Sequence, residues 1–145
     1  MENKYYHPKI EEFCVGLEFE EFDGVNGWKK RSIDCDEISS FFHFANSYPE
    51  LLRVKHLDRE DIESENWEFV AEANNNSFFY KKQINGKIYR LHHCVNLKGV
   101  SIFICDDDGM IFSQNKRVGL SIFSGTILNK SRLKLVMEML NIEKK

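Results

Sequence analysis

The sequence lacks any long apolar run and any leader-like start. Its longest apolar stretch, VSIFIC at residues 100–105, is far too short to cross a membrane. The first residues, MENKYYHPK, contain no apolar segment of a signal peptide. The chain has four cysteines, Cys14, Cys35, Cys94 and Cys105. No two of them form a C-x-x-C pair. We therefore expect a soluble cytoplasmic protein, with reduced thiols and no membrane partner.

Signature motifs of common enzyme classes are also missing. The chain has no G-x-S-x-G element, no P-loop and no glycine-rich phosphate cradle. Cys94 or Cys105 could pair with a histidine as a nucleophile. Cys105, however, ends an apolar run, where a buried thiol is inert. We expect a protein that is not an enzyme and that uses no cofactor.

The composition is that of a globular chain, and its charges are unevenly spread. With 145 residues, 42% hydrophobic and 30% charged, we expect a single domain spanning residues 1–145. The first 72 residues carry 18 acidic and 8 basic side chains, whereas the last 73 carry 5 and 12. Such a split can mark an interaction surface, or it can vanish when the two halves mix in space.

Alternating apolar and polar residues predict strands along most of the chain. The predicted strands are residues 11–22, 28–34, 38–44, 51–57, 67–73, 77–84, 87–95, 100–105, 110–113 and 117–125. Asn26-Gly27 and Asn85-Gly86 favour tight type I′ turns. Near the C-terminus, Leu133, Val136, Met137 and Leu140 recur at helical spacing after a cap at Asn129 or Ser131. The fold class is therefore α+β: mostly antiparallel sheet or a partly open barrel, with a C-terminal amphipathic helix and one short internal helix.

An acidic stretch, residues 58–65, raises the question of a metal site. Its acids are Asp58, Glu60, Asp61, Glu63 and Glu65. Asp58 suits the N-cap of a helix, with Asp61 as its capping-box partner and Leu57 and Ile62 as a hydrophobic staple. A catalytic metal needs ligands from several elements, which one helix start does not supply. We predict a short capped helix and no metal; the alternative is a metal-dependent enzyme that uses the acids near Asp58.

Two further motifs resemble ligand sites. In HHC, residues 92–94, strand alternation sends His92 and Cys94 to one face and His93 to the other, so at most two could bind one ion. No other Cys/His pair has zinc-finger spacing. DDDG, residues 106–109, lacks the spaced acids of a calcium loop and suits a polar hairpin tip. We expect neither motif to bind metal.

The hairpin around Asn85-Gly86 interleaves bases and aromatic rings. Such a surface suits single-stranded nucleic acid, because bases stack on rings and cations pair with phosphates. The predicted binding residues are Tyr80, Lys81, Lys82, Lys87, Tyr89 and Arg90. Both faces of the hairpin mix apolar and basic residues, so periodicity does not identify the core side. We expect Lys82 and Arg90 to be exposed, with Tyr80 beside them.

Three stretches together resemble a family of small proteins from phages and mobile elements of Bacteroidota. They are YYHPKIEEFCVGLEFEEF at residues 5–22, RVKHLDREDIESENWEF at 53–69 and GTILNKSRLKLVMEMLNI at 125–142. The resemblance implies expression inside a host cell from a mobile element. It implies no activity.

Small binding proteins from such elements often block host defences. We therefore expect a non-enzymatic inhibitor, similar to an anti-CRISPR protein, that contacts a nucleic-acid-targeting defence complex or its RNA. One alternative is a sponge that binds a signal nucleotide in a small-ligand pocket. The acidic strand carrying Glu18 and Glu20 is a second possible binding face, acting as a mimic of nucleic acid. The sequence leaves the oligomeric state open.

Overall fold

The computed structural model describes residues 4–36, 38–73, 76–105 and 120–142. The chain divides into two compact units, Met1–His56 and Leu57–Lys145. The expectation that residues 1–145 form a single domain stays a prediction. Within the described residues, no helix has the length and apolar character that crossing a membrane requires.

The first unit contains an antiparallel four-stranded sheet. Its strands are β1 (Tyr5–Tyr6), β2 (Glu18–Asp23), β3 (Gly27–Ser32) and β4 (Leu52–Lys55), in the order β1-β4-β2-β3. A helix, α1 (Ile38–Ser47), lies between β3 and β4 in the chain. The core combines residues from the sheet, the helix and their loops: Phe13, Leu17, Phe19, Ile33, Phe41, Ala45, Leu52 and Val54.

The predicted strand over residues 11–22 is correct only in its second half. Residues Ile10–Glu12 form a 3₁₀ turn, and Gly16 has a φ of 92°, which an extended strand does not allow. The backbone N–H of Gly16 donates to the carbonyl of Ile33, 2.8 Å away. Val15 is consequently 57% exposed instead of sharing the buried face.

The predicted strand over residues 38–44 is wrong, because this segment is α1. Ile38, Phe41, Phe42 and Ala45 recur at positions i, i+3, i+4 and i+7, which places them on one side of a helix. Phe41 and Ala45 are buried there, and Ile38 and Phe42 pack against the same core. Burial of this stripe outweighs the β-propensity of the phenylalanines.

The turn between β2 and β3 also differs from the predicted type I′ turn at Asn26-Gly27. Asp23 pairs with Gly27, so three residues separate the strands. Only Gly27 of the Asn-Gly pair has a positive φ, 79°. A type I′ turn requires positive φ at both central residues, so the turn belongs to another class.

The second unit holds an antiparallel five-stranded sheet and two helices. The strands, in sheet order, are β5 (Glu68–Ala73), β6 (Ser77–Ile84), β7 (Lys87–Cys94), β8 (Gly99–Cys105) and β9 (Leu120–Thr126). Helix α2 (Arg59–Ser64) precedes the sheet and helix α3 (Lys130–Met139) follows it. Residues from both helix regions and from one sheet face form the core, including Ile62, Trp67, Leu91, Ile102 and Leu133.

The hairpin of β6 and β7 confirms the prediction at Asn85-Gly86. Ile84 pairs with Lys87, which leaves a two-residue turn. The φ angles of Asn85 and Gly86 are 50° and 79°, as a type I′ turn requires. The predicted DDDG tip, the strand at 110–113 and residues 117–119 lie outside the described residues.

Helix α2 has the predicted cap. The side chain of Asp58 accepts from the backbone N–H of Asp61 at 3.0 Å. In return, the side chain of Asp61 accepts from the backbone N–H of Asp58 at 3.4 Å. Leu57 and Ile62, the predicted staple pair, are both buried. Each carboxylate thereby satisfies a backbone donor that the first helical turn leaves unpaired.

The fold class is α+β, as predicted. In the described part of the chain the sheets are antiparallel and neither closes into a barrel. Helix α3 is amphipathic, and the side chain of Asn129 caps it by accepting from the N–H of Arg132 at 2.8 Å. The description of one internal helix needs correction, because α1 and α2 both precede the C-terminal helix.

Candidate nucleic-acid interface

The hairpin of β6 and β7 separates the predicted binding residues onto two faces. The side bearing Tyr80, Lys82 and Tyr89 joins the core below α2 and α3. Lys81 and Arg90, which pair across the hairpin, point to the opposite side. We call that opposite side the outer face.

Burial of Tyr80 and Lys82 contradicts the expected exposed patch. Tyr80 is 1% exposed, Lys82 3% and Tyr89 7%. The two rings supply apolar area to the core, which favours that side for packing against the helices. Burial raises the pKa of the Tyr80 phenol to about 12, so the ring stays neutral at physiological pH.

Lys82 has a structural role that explains its burial. Its ammonium donates to the backbone carbonyl of Glu65 at 2.7 Å and lies 5.8 Å from the centroid of the Trp67 ring. Glu65 is the C-terminal cap residue of α2, so the contact ties the helix end to the sheet. A lysine held in this way is not available to a phosphate.

Lys87 lies on the same side as Tyr89 but at the hairpin end, where it is exposed. It is therefore accessible, yet it belongs to the side opposite Lys81. Of the six predicted binding residues, only Lys81 and Arg90 share the outer face.

Aromatic rings accompany these two cations on the outer face. Phe79 pairs with His92 and Lys81 with Arg90 across β6 and β7, and Arg90 pairs with Phe103 across β7 and β8. All five side chains are half-buried. We refer to them as the outer cluster: Phe79, Lys81, Arg90, His92 and Phe103.

The rings and the guanidinium of the outer cluster are layered. The rings of Phe79 and His92 stack with centroids 4.5 Å apart and planes 10° apart. The Arg90 Cζ lies 5.3 Å from the Phe79 centroid and 4.9 Å from the Phe103 centroid. A guanidinium near two rings is a cation–π arrangement, and here it links side chains of three strands.

Electrostatics leave one histidine neutral beside one charged arginine. Burial lowers the pKa of the His92 imidazole, and the charge of Arg90 lowers it further. Burial also lowers the pKa of Arg90, while Cys105 acts in the opposite direction. Because guanidinium titrates far above physiological pH, Arg90 keeps its charge. His92 thus keeps a neutral ring, and its Nε2 is buried without a hydrogen-bond partner among the described residues.

The HHC motif is split by the strand, as predicted. His93 is buried on the core side, whereas His92 and Cys94 lie on the outer face. Burial, chiefly, and the neighbouring His92 lower the pKa of His93 to about 4; Asp58 opposes this. Among the residues that the structure describes, no three Cys, His, Asp or Glu side chains gather as metal ligands would. The DDDG motif lies outside those residues.

The four cysteines all lie among the described residues, form no disulfide there and differ in exposure. Cys14 and Cys35, in the first unit, are exposed; Cys94 is half-buried and Cys105 buried. Burial of Cys105 limits the access of other reactants to its thiol.

The acids around α2 are engaged in local structure. Asp58 and Asp61 form the capping box. Glu63 accepts from the Arg59 side chain at 2.6 Å. Glu65 is 2% exposed, with one carboxylate oxygen 3.9 Å from the Lys130 ammonium. The helix therefore accounts for Asp58, Asp61 and Glu63. The Glu65 oxygen near Lys130 is buried without a hydrogen-bond partner among the described residues.

The acidic strand β2 is partly neutralised by its neighbours. Glu20 forms an ion pair with Arg53 at 3.1 Å, and Glu21 pairs with Arg31. The Arg53 guanidinium also lies between two rings, 3.7 Å from the Tyr5 centroid and 4.1 Å from the Trp28 centroid. A surface whose carboxylates already meet cations is a poor mimic of nucleic acid.

Three members of the outer cluster were not among the predicted binding residues. Phe79 and His92 lie in the same basic and aromatic stretch as Tyr80 and Tyr89. They can be told apart from those tyrosines only when it is known which side of the hairpin faces the core. Phe103 lies in an apolar run that reads as core. Phe103 pairs with Arg90 across β7 and β8, and this pairing is the observation that places Phe103 on the outer face.

No family model, no curated protein and no solved structure matched the chain.

Proposed function

We propose that the protein binds single-stranded nucleic acid, free or within a ribonucleoprotein, through the outer cluster. The observation that carries the proposal is the layered arrangement of Arg90 over the rings of Phe79 and Phe103, with His92 stacked beside them. Rings on adjacent strands of an antiparallel sheet can stack on unpaired bases.

Stacking would supply more of the affinity than charge does. Two cations, Lys81 and Arg90, lie on this part of the sheet. If each meets one phosphate, the logarithm of the association constant should fall with the logarithm of salt concentration with a slope of about −1.4. A strongly basic groove would give a much steeper slope.

The test is fluorescence polarisation of a labelled single strand, measured over a range of salt concentrations. Phe103→Leu keeps an apolar side chain but removes the ring face, so affinity should drop roughly tenfold. Lys81→Gln should flatten the salt slope by about 0.7.

Two matched variants serve as controls. Phe69→Leu changes a ring that packs against the core, and Lys87→Gln removes a cation of the same hairpin on the side opposite Lys81. Both should keep the wild-type affinity. If Phe69→Leu and Phe103→Leu weaken binding equally while both variants stay folded by circular dichroism, the outer cluster is not the site.

At the level of biology, we propose that this binding inhibits a host defence complex, in the manner of an anti-CRISPR protein. Support comes from the resemblance to mobile-element proteins and from the outer cluster. The experiment is a plasmid-interference assay in a host with an active nucleic-acid-targeting system. Wild-type protein should restore plasmid entry, and Phe103→Leu should not. A nucleotide sponge, by contrast, would bind signal mononucleotides tightly and ignore the oligonucleotide.

A further inference from the structure

The outer face changes character between β7 and β9. Strand β9 has no charged residue, and four hydroxyl side chains continue the outer face from β8 onto it. Ser121, Ser124 and Thr126 are exposed, and Ser101 is half-buried. We call these four residues the hydroxyl row: Ser101, Ser121, Ser124 and Thr126.

The sheet register places the hydroxyl row directly beside the outer cluster. Ser101 pairs with His92 on one side and with Ser124 on the other, and Phe103 pairs with Ser121. Directly opposed side chains in an antiparallel pair have Cβ atoms about 5 Å apart. A base stacked on Phe103 would therefore have its sugar within reach of Ser121.

The hydroxyl row suits a neutral partner group that can both donate and accept hydrogen bonds. The Ser101 and Ser124 hydroxyls already form a hydrogen bond with 3.2 Å between their oxygens, and either hydroxyl can be the donor. Each serine oxygen has one donor and two acceptor positions, as the ribose 2′-hydroxyl has. The 2′-hydroxyl is the group by which a protein distinguishes RNA from DNA.

We propose that the hydroxyl row makes the site selective for RNA over DNA by contacting ribose 2′-hydroxyls. The inference rests on the proposed function, because the hydroxyl row can contact only a nucleic acid that the outer cluster binds. It assigns stacking to the rings of β6, β7 and β8, and sugar recognition to the row on β8 and β9.

The experiment compares oligouridylate with oligodeoxyuridylate of equal length, which differ only in the 2′-hydroxyl. Polarisation should give about fivefold tighter binding of the RNA, the size expected for one or two net hydrogen bonds. The double variant Ser121→Ala with Ser124→Ala should bind both strands with the affinity that wild type shows for the DNA. Ser47→Ala, an exposed serine of α1, should keep the fivefold preference.

The outcomes separate the two proposals. Failure of the folded wild-type protein to bind either strand overturns the proposed function and, with it, the inference. Equal binding of both strands by wild type overturns the inference alone. A preference for RNA that survives in the folded double variant assigns the selectivity elsewhere and also overturns the inference.

Discussion

Lys81 and Lys82 are consecutive lysines of one strand, and the sheet sends their side chains to opposite faces. Lys82 is held at the end of α2, whereas Lys81 borders the rings of the outer cluster. Residue type therefore says little about function here until the covered side of the strand is known. The contrast can be measured with one substitution at each position.

Replacing Lys82 with methionine should destabilise the protein without weakening nucleic-acid binding. Methionine fills the space of the lysine stem, but the Glu65 carbonyl loses a buried donor, which costs about 1–3 kcal/mol. Urea denaturation measures the loss, and polarisation at native conditions measures binding. Weaker binding by folded Lys82→Met at unchanged stability would return Lys82 to the binding site.

His93 should make the protein less stable in acid. Its pKa is about 4 when folded and about 6.5 when unfolded, so below pH 6.5 the unfolded chain takes up the proton first. The stability present at neutral pH is lost as pH falls from about 6.5 to about 4, by roughly 3 kcal/mol in all.

Urea denaturation across this pH range checks the effect of His93. His93→Leu should remove the His93 part of the slope. An unchanged slope in folded His93→Leu would show that the ring is protonated in the native state.

At the scale of elements, the cap of α2 can be tested apart from any metal. Asp58→Ala should lower the free energy of unfolding by about 1 kcal/mol, because the backbone N–H of Asp61 loses its side-chain acceptor. Asp58→Asn should retain most of the wild-type stability, since asparagine is an equally good cap. Magnesium or manganese should leave the melting temperature unchanged. A rise with metal that Asp61→Asn abolishes would favour the enzyme alternative instead.

Elements whose local signals agree with one another were predictable from the sequence. The hairpin at Asn85-Gly86 combines alternation with a turn that tolerates positive φ, and α2 combines a cap with a staple. Helix α1 was missed because its phenylalanines favour strand locally, while their helical spacing matters only once a core exists to receive them. Local propensity and tertiary burial disagree there, and burial wins.

The site was only half predictable for a related reason. Strand alternation correctly separated Lys81 from Lys82 and His92 from His93, but it could not tell which set would face the helices. That choice depends on α2 and α3 covering one side of the sheet, which is a contact between distant parts of the chain. The outer cluster also needs Phe103 from a third strand, and only the register supplies it.

At the scale of the molecule, the two compact units raise a question of cooperativity. A unit of 56 residues is marginally stable alone, since small domains bury only about 60% of their surface. We expect one unfolding transition for the whole chain. Each unit contains one tryptophan, Trp28 or Trp67, so each can be observed separately.

Single-tryptophan variants test this expectation. Trp67→Phe leaves the reporter in the first unit, and Trp28→Phe leaves it in the second. Adding Leu91→Ala, in the core of the second unit, should shift the urea midpoint reported by either tryptophan to the same extent. A midpoint that moves only for Trp67 would show that the chain is two independent domains.

The distribution of thiols gives the chain a built-in chemical handle. Both exposed cysteines belong to the first unit, and the cysteines of the second are half-buried or buried. A maleimide reagent should therefore modify Cys14 and Cys35 first, because alkylation follows thiol exposure. With one of the two replaced by serine, the protein can be tethered to a biosensor surface through its first unit alone. The sheet that carries the outer cluster then remains chemically unmodified.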